Sequence, residues 1–149
     1  MKLIHAAGKR DYDRIRADWD ATPAGTCARM TLADYIYDMP IQMAAADLVI
    51  SRAGAMSISE LALTGKASVL IPSPNVAENH QFKNAMALVK EGAGLCVEES
   101  TLPDGALIQA VTELLDNAHK RADMGEKIRG FACPDANERI YDQLMGLLR

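Results

Sequence analysis

No stretch of this chain approaches the roughly 18 consecutive apolar residues of a membrane-spanning helix, and the start, MKLIHAAGKRD, has too short an apolar core for a secretory signal. Basic residues form no stripe. Sixteen Lys and Arg stand against 20 Asp and Glu, a net charge of −4, which argues against nucleic acid as the main partner and against a polybasic membrane face. Cysteine is scarce: Cys27, Cys96 and Cys133 are odd in number, far apart and in no C-x-x-C arrangement. Zinc and redox-pair readings therefore lack support, and a reducing cytosol is expected. Neither G-x-G-x-x-G nor a Walker pattern occurs, and no Ser or Cys sits in a nucleophile elbow. His5, His80 and His119 are not spaced as ligands on one element. The one short carboxylate pair, Asp11 and Asp13, lies in KRDYDRIRADWD, which reads as a solvated helical face rather than a metal site.

What the chain does have is a core. At 149 residues and 49% apolar composition it is one domain's worth of sequence, taken as 1–149. Short apolar runs alternate with helical patterns, the signature of a parallel sheet flanked by helices. Strands are expected at about 2–6, 28–33, 47–51, 67–71 and 93–97, and helices at about 9–19, 39–45, 56–64, 78–91, 104–116, 118–129 and 135–148. DLVIS and ASVLI are apolar at consecutive positions, as strands buried on both faces are. The last stretch, about 104–148, carries no strand signal, so helices close the domain.

Ligands of open α/β sheets collect at the carboxyl ends of the strands, which makes four segments worth weighing: ADYIYDMP, SRAGAMSISE, PSPNVAENHQFKN and EESTLPD. In SRAGAMSISE, Gly54 supplies either a positive φ or close backbone access, and the free N–H groups opening the next helix favour an anion such as a phosphate. The same residues also fit a capping box, with Ser57 and Glu60 satisfying the helix's own N–H groups. In IPSPNVAENHQ, Pro72 and Pro74 stiffen the strand exit ahead of Asn75, Glu78, Asn79, His80 and Gln81. Neutral amides there suit sugar hydroxyls; the competing reading is a polar helix start capped by Asn75 or Asn79.

The segment YIYDMPIQMAAADLVISRAGAMSISELALTGKASVLIPSPNVAENHQFKNAMALVKEGAG, residues 35–94, resembles the C-terminal domain of the MurG family. These N-acetylglucosamine transferases move the sugar from UDP-N-acetylglucosamine to undecaprenyl-pyrophosphoryl-muramyl-pentapeptide, converting lipid I to lipid II in peptidoglycan synthesis, cell-wall biogenesis and cell division. The order AAADLVISRAG, SE, LIPSP, NHQ and NA carries the resemblance, and the flanks match more weakly. It implies a Rossmann-like domain, the C-terminal half of a GT-B glycosyltransferase, lacking its first strand and helix.

Roles follow residue by residue from the resemblance. The backbone at Ile36 reads the uracil edge, and Gly54, Ala55, Met56 and Ser57 receive the diphosphate. Glu60 holds the ribose hydroxyls. His80 and Gln81 face the diphosphate and the sugar, with Gln81 on the hexose hydroxyls, while Asn84 supports the loop. His80 stands where glutamine is common in relatives. No catalytic base, metal or cofactor is implied for this chain, since UDP-N-acetylglucosamine is a substrate. An N-terminal domain holding the lipid-linked acceptor is expected as the partner, and the complete protein is expected as a peripheral enzyme on the cytoplasmic face of the cell membrane, with this chain alone inactive. Two alternatives are the donor-binding subunit of a two-chain transferase and a fragment of a nucleotide-sugar epimerase. In ANERIYDQLMGLLR, residues Ile140, Leu144, Leu147 and Leu148 mark one apolar helix face, which is expected, with the sheet edge left by the missing strand, to favour self-association.

Overall fold

The computed structural model describes residues 1–148. Two compact units divide the chain, Met1–Ile41 and Gln42–Arg149. In the first, β1 (Leu3–Ala6) pairs in parallel with β2 (Met30–Ala33), Leu3 opposite Met30 and Ala6 opposite Ala33. The crossover between them is α1 (Tyr12–Asp20) followed by a 3-10 turn, Pro23–Thr26. The solvated face expected of α1 is present: Arg14 pairs with Asp11 and Asp18, and Arg16 with Asp20 at 2.8 Å. Asp11 is thus engaged by arginine. Helix α2 (Met39–Ala45) carries the chain into the second unit.

The second unit is built around β4 (Ser68–Leu70), buried at every residue and lying between β3 (Val49–Ser51) and β5 (Leu95–Cys96), all three parallel. That full burial has a simple cause: successive side chains of a strand point to opposite faces, and both faces here are covered. Leu70 joins Ala53, Leu61, Ala62, Ala85, Leu88, Ala93 and Ile128 on one side. Val69 joins Ala67, Val97, Leu114 and Met124 on the other. The covering helices are α3 (Ala55–Thr64), α4 (His80–Lys90), α5 (Ala106–Asp116) and α6 (Ala118–Arg129), and α7 (Ala136–Leu147) ends the chain. Every expected strand and helix is present within a few residues of its expected bounds. The differences are at ends, where β5 shortens to two residues and a 3-10 stretch, Glu99–Asp104, precedes α5.

Helices α3 and α6 pack backbone to backbone. A Cβ added to Gly125 of α6 would stand 2.6 Å from the carbonyl oxygen of Gly65, the left-handed residue (φ 63°) that terminates α3. The glycine is what permits that approach.

Candidate functional site

Three strand-to-helix connections leave the carboxyl ends of β3, β4 and β5, and hydrogen bonds tie them together. The first runs from Ser51 to Gly54. Gly54 is the N-cap of α3 with φ −70° and ψ 148°, and the Ile58 N–H closes onto its carbonyl at 3.0 Å. The N–H groups of Ala55, Met56 and Ser57 therefore precede the first intrahelical bond and have no partner among the described residues.

This geometry rules out one of the alternatives at each of two points. Gly54 does not adopt a positive φ, so its conformation is open to any residue. Helix α3 also begins before Ser57, so Ser57 and Glu60 form no capping box; they lie inside the helix, and no side chain caps its N-terminus. Early entry has a sequence cause: Ala55 and Met56 are good helix formers, and the Gly54 carbonyl is free to accept the first bond. Added to Gly54, a Cβ would meet nothing closer than the Ser57 Oγ at 3.9 Å, an ordinary contact. Neither torsion nor internal packing demands glycine here. Its open face leaves the three N–H groups reachable by a ligand. The Ser57 and Glu60 side chains carry no hydrogen bond or ion pair among the described residues, and Glu60 is exposed.

The second connection runs from Ile71 to Asn79. The Ser73 N–H donates to Gln81 Oε1 at 2.9 Å, and the Ser73 Oγ accepts from the Asn75 N–H at 3.3 Å. Glu78 and Asn79 both sit in the left-handed region, φ 53° and 52°, a costly conformation for residues other than glycine. Asn79 is the N-cap of α4, but its side chain makes no cap bond. His80 Nδ1 lies 2.8 Å from the Ala77 carbonyl oxygen. A carbonyl only accepts, so Nδ1 carries the proton in this contact, and the residue is exposed. With its oxygen accepting from Ser73, Gln81 has its NH2 group to donate to an acceptor such as a hydroxyl oxygen. Asn84 Nδ2 donates to the Ala53 carbonyl at 3.1 Å, tying α4 to the α3 turn.

The third connection, after β5, supplies Glu99. Arg52 Nη1 lies 2.5 Å from Glu99 Oε2 and donates to the Ile71 carbonyl at 3.2 Å. Beside this pair is a cleft of about 480 Å³ lined by Pro72, Pro74, Asn79, Phe82, Glu98, Glu99 and Ser100. Sequence reasoning missed Arg52 and Glu99, because nothing local in the sequence connects residues 47 positions apart.

Ile36 lies in the first unit, half-buried in the segment between β2 and α2. Tyr35 and Tyr37 flank it with their rings edge to face, centroids 5.0 Å apart, and Lys9 Nζ stands 5.8 and 5.6 Å from the two ring centres. The sequence reading singled out neither tyrosine. Among the described residues, no three His, Cys, Asp or Glu side chains are grouped to hold a metal, and no helix is long and apolar enough to cross a membrane.

Residues 1–140 match the glycosyltransferase family 28 C-terminal domain. Two curated relatives carry the name UDP-N-acetylglucosamine–N-acetylmuramyl-(pentapeptide) pyrophosphoryl-undecaprenol N-acetylglucosamine transferase. The one from Bacteroides fragilis is 46% identical over 147 residues, 99% of this chain and 38% of that protein. The one from Acetivibrio thermocellus is 37% identical, covering 99% of this chain and 39% of its own length. This chain thus spans about two-fifths of the curated relatives it matches. The crystal structure of Acinetobacter baumannii MurG superposes with a TM-score of 0.83 at 30% identity, covering 98% of this chain and 41% of that one. A glycotransferase of kitacinnamycin shares the fold, at a TM-score of 0.61 and 15% identity. With its parallel, helix-flanked sheets and this match over nearly its whole length, the chain belongs to glycosyltransferase family 28 as a Rossmann-like C-terminal domain of the GT-B fold.

Proposed function

We propose that this chain is the donor-binding domain of an N-acetylglucosamine transferase that uses UDP-N-acetylglucosamine to convert lipid I to lipid II. The observation that carries this reading is the start of α3: three unpartnered N–H groups beside a glycine that nothing inside the chain requires. Such a terminus attracts a diphosphate through its free donors and the helix dipole. The uracil is assigned to the backbone at Ile36. Glu60, free of intramolecular partners, accepts the vicinal ribose hydroxyls. His80 and Gln81 are assigned to the diphosphate and the sugar, the Gln81 NH2 donating to a hexose hydroxyl oxygen.

No group here is assigned as the catalytic base, and no cofactor enters the reading. The lipid-linked acceptor belongs to the part of the relatives that this chain does not span. The complete protein then works on the cytoplasmic face of the membrane as a peripheral enzyme, and this chain alone does not transfer the sugar. Self-association through α7 is part of the proposal, supported by the exposure of its apolar face.

The test is an NMR or calorimetric titration of this chain with UDP-N-acetylglucosamine, UDP, UMP and ADP. UDP is expected to bind in preference to ADP, with shifts at Ala55, Met56 and Ser57 that UMP reproduces weakly. Equal responses to UDP and ADP would sink the uridine assignment.

A further inference from the structure

In the sheet order β3-β4-β5 the loops after β3 and β5 are separated by the end of β4, two strand spacings or about 9–10 Å. Arg52 and Glu99 close that gap together. The guanidinium Nη1 donates both to Glu99 Oε2 at 2.5 Å and to the carbonyl of Ile71, the residue leaving β4, at 3.2 Å. One nitrogen thus links all three connections.

We infer that Glu99 is a positioning residue for the anion-receiving turn, acting through Arg52. Arg52 stands two residues before Gly54. The residue between them, Ala53, has no exposed surface, and its carbonyl is held by Asn84. The turn is therefore fixed from α4 on one side and from the β5 loop on the other. Fixing it matters because donors bind an anion well only when their directions are set before it arrives. Both side chains of the ion pair are about half exposed, so the pair adds little to folding stability. Its effect is on where the N–H groups of Ala55, Met56 and Ser57 point. The competing role, Arg52 as a direct phosphate contact with Glu99 as its rival, has the opposite sign: freeing Arg52 from Glu99 then tightens binding.

The affinity test rests on the donor-site reading; a second measurement does not. Glu99→Gln and Arg52→Gln are each expected to weaken UDP binding about fivefold, with nearly unchanged urea unfolding midpoints. The double variant is expected to be no worse than either single one, because the residues act as one unit. Arg52→Lys falls between, since an ammonium lacks the planar fork. Tighter or unchanged UDP binding by Glu99→Gln, or losses that multiply in the double variant, overturns the inference. If the unaltered chain binds no UDP, the donor reading fails, and amide spectra of the ligand-free chain decide this one. Shifted, faster-exchanging amides at Ala55, Met56 and Ser57 in Glu99→Gln support the strut, and unmoved amides refute it.

Discussion

Asn84, on the second turn of α4, donates its side-chain amide to the carbonyl of Ala53 at 3.1 Å, joining the starts of two helices from positions 31 apart in sequence. Ala53 is wholly buried, so its carbonyl has no water to fall back on. Asn84→Ala is expected to lower stability by about 1–3 kcal/mol, the cost of a buried acceptor left unsatisfied. Asn84→Asp should be worse at neutral pH, because a carboxylate only accepts, and should recover in part when acid protonates it. Urea unfolding midpoints at pH 7 and pH 4 check both statements.

Glu60 tests the donor site with little structural interference. It is exposed and carries no side-chain partner among the described residues, so Glu60→Ala should leave stability within about 0.5 kcal/mol. Affinity for UDP should fall by roughly 1.5–3 kcal/mol, the range for hydrogen bonds to a charged group. A loss of stability with unchanged affinity would return Glu60 to a purely structural role.

Much of this was legible in the sequence because it is local. Consecutive apolar residues in ASVLI announced a strand covered on both faces, and Val69 and Leu70 do face separate clusters. The capping-box alternative fails for a local reason too: Ser57 and Glu60 have the right spacing, but Ala55 and Met56 extend the helix backwards and leave Gly54 as the cap. Gln81 drew notice in the sequence as an amide at a strand exit, but nothing there showed that Ser73 would engage its oxygen. What no local pattern carries is contact across the fold. Arg52 with Glu99, Asn84 with Ala53 and Gly125 with Gly65 are pairs made by the sheet order and by helix packing.

Gly125 illustrates this, since an isolated glycine inside a helix ordinarily only weakens it. Here the α3 carbonyl would lie 2.6 Å from any added Cβ, and neither backbone moves cheaply. Gly125→Ala is expected to destabilise by about 1–3 kcal/mol, as overpacking does. Gly146→Ala is the control: it lies within α7, and an added Cβ meets nothing within 4 Å. It should stabilise by roughly 0.5–1 kcal/mol. Thermal unfolding of the two variants beside the parent chain should give shifts of opposite sign.

Burial pushes the Cys96 thiol up from its ordinary value, and the nearby Glu98 carboxylate adds to the rise. The folded protein thus holds that proton more tightly than the unfolded chain does. Stability from this group is full below the ordinary thiol pKa and is lost as pH rises through the folded value. Thiolate is the reactive form, so iodoacetamide should label the exposed Cys133 at pH 7.5 and reach Cys96 only under alkaline conditions. Peptide mass spectrometry against time and pH reads this order, and Cys96 labelling first would contradict it.

The last helix poses the problem of an uncovered apolar face. Ile140, Leu144, Leu147 and Leu148 recur on one side of α7 and its cap, no residue of the helix is buried, and Leu147 and Leu148 remain 83% and 80% exposed. Exposed apolar residues that form a continuous stripe, rather than scattered singles, mark a surface that associates. In the proposed self-association a second copy of the chain supplies the matching stripe. Sedimentation at increasing concentration should show the average mass rising, and Ile140→Glu with Leu144→Glu should hold the chain as a monomer without lowering its unfolding midpoint, because neither side chain contributes to the core. Removal of residues after Asp135 should have the same effect on mass. A parent chain that stays monomeric across the concentration range, with α7 resistant to proteolysis, would show that the helix is covered within its own chain.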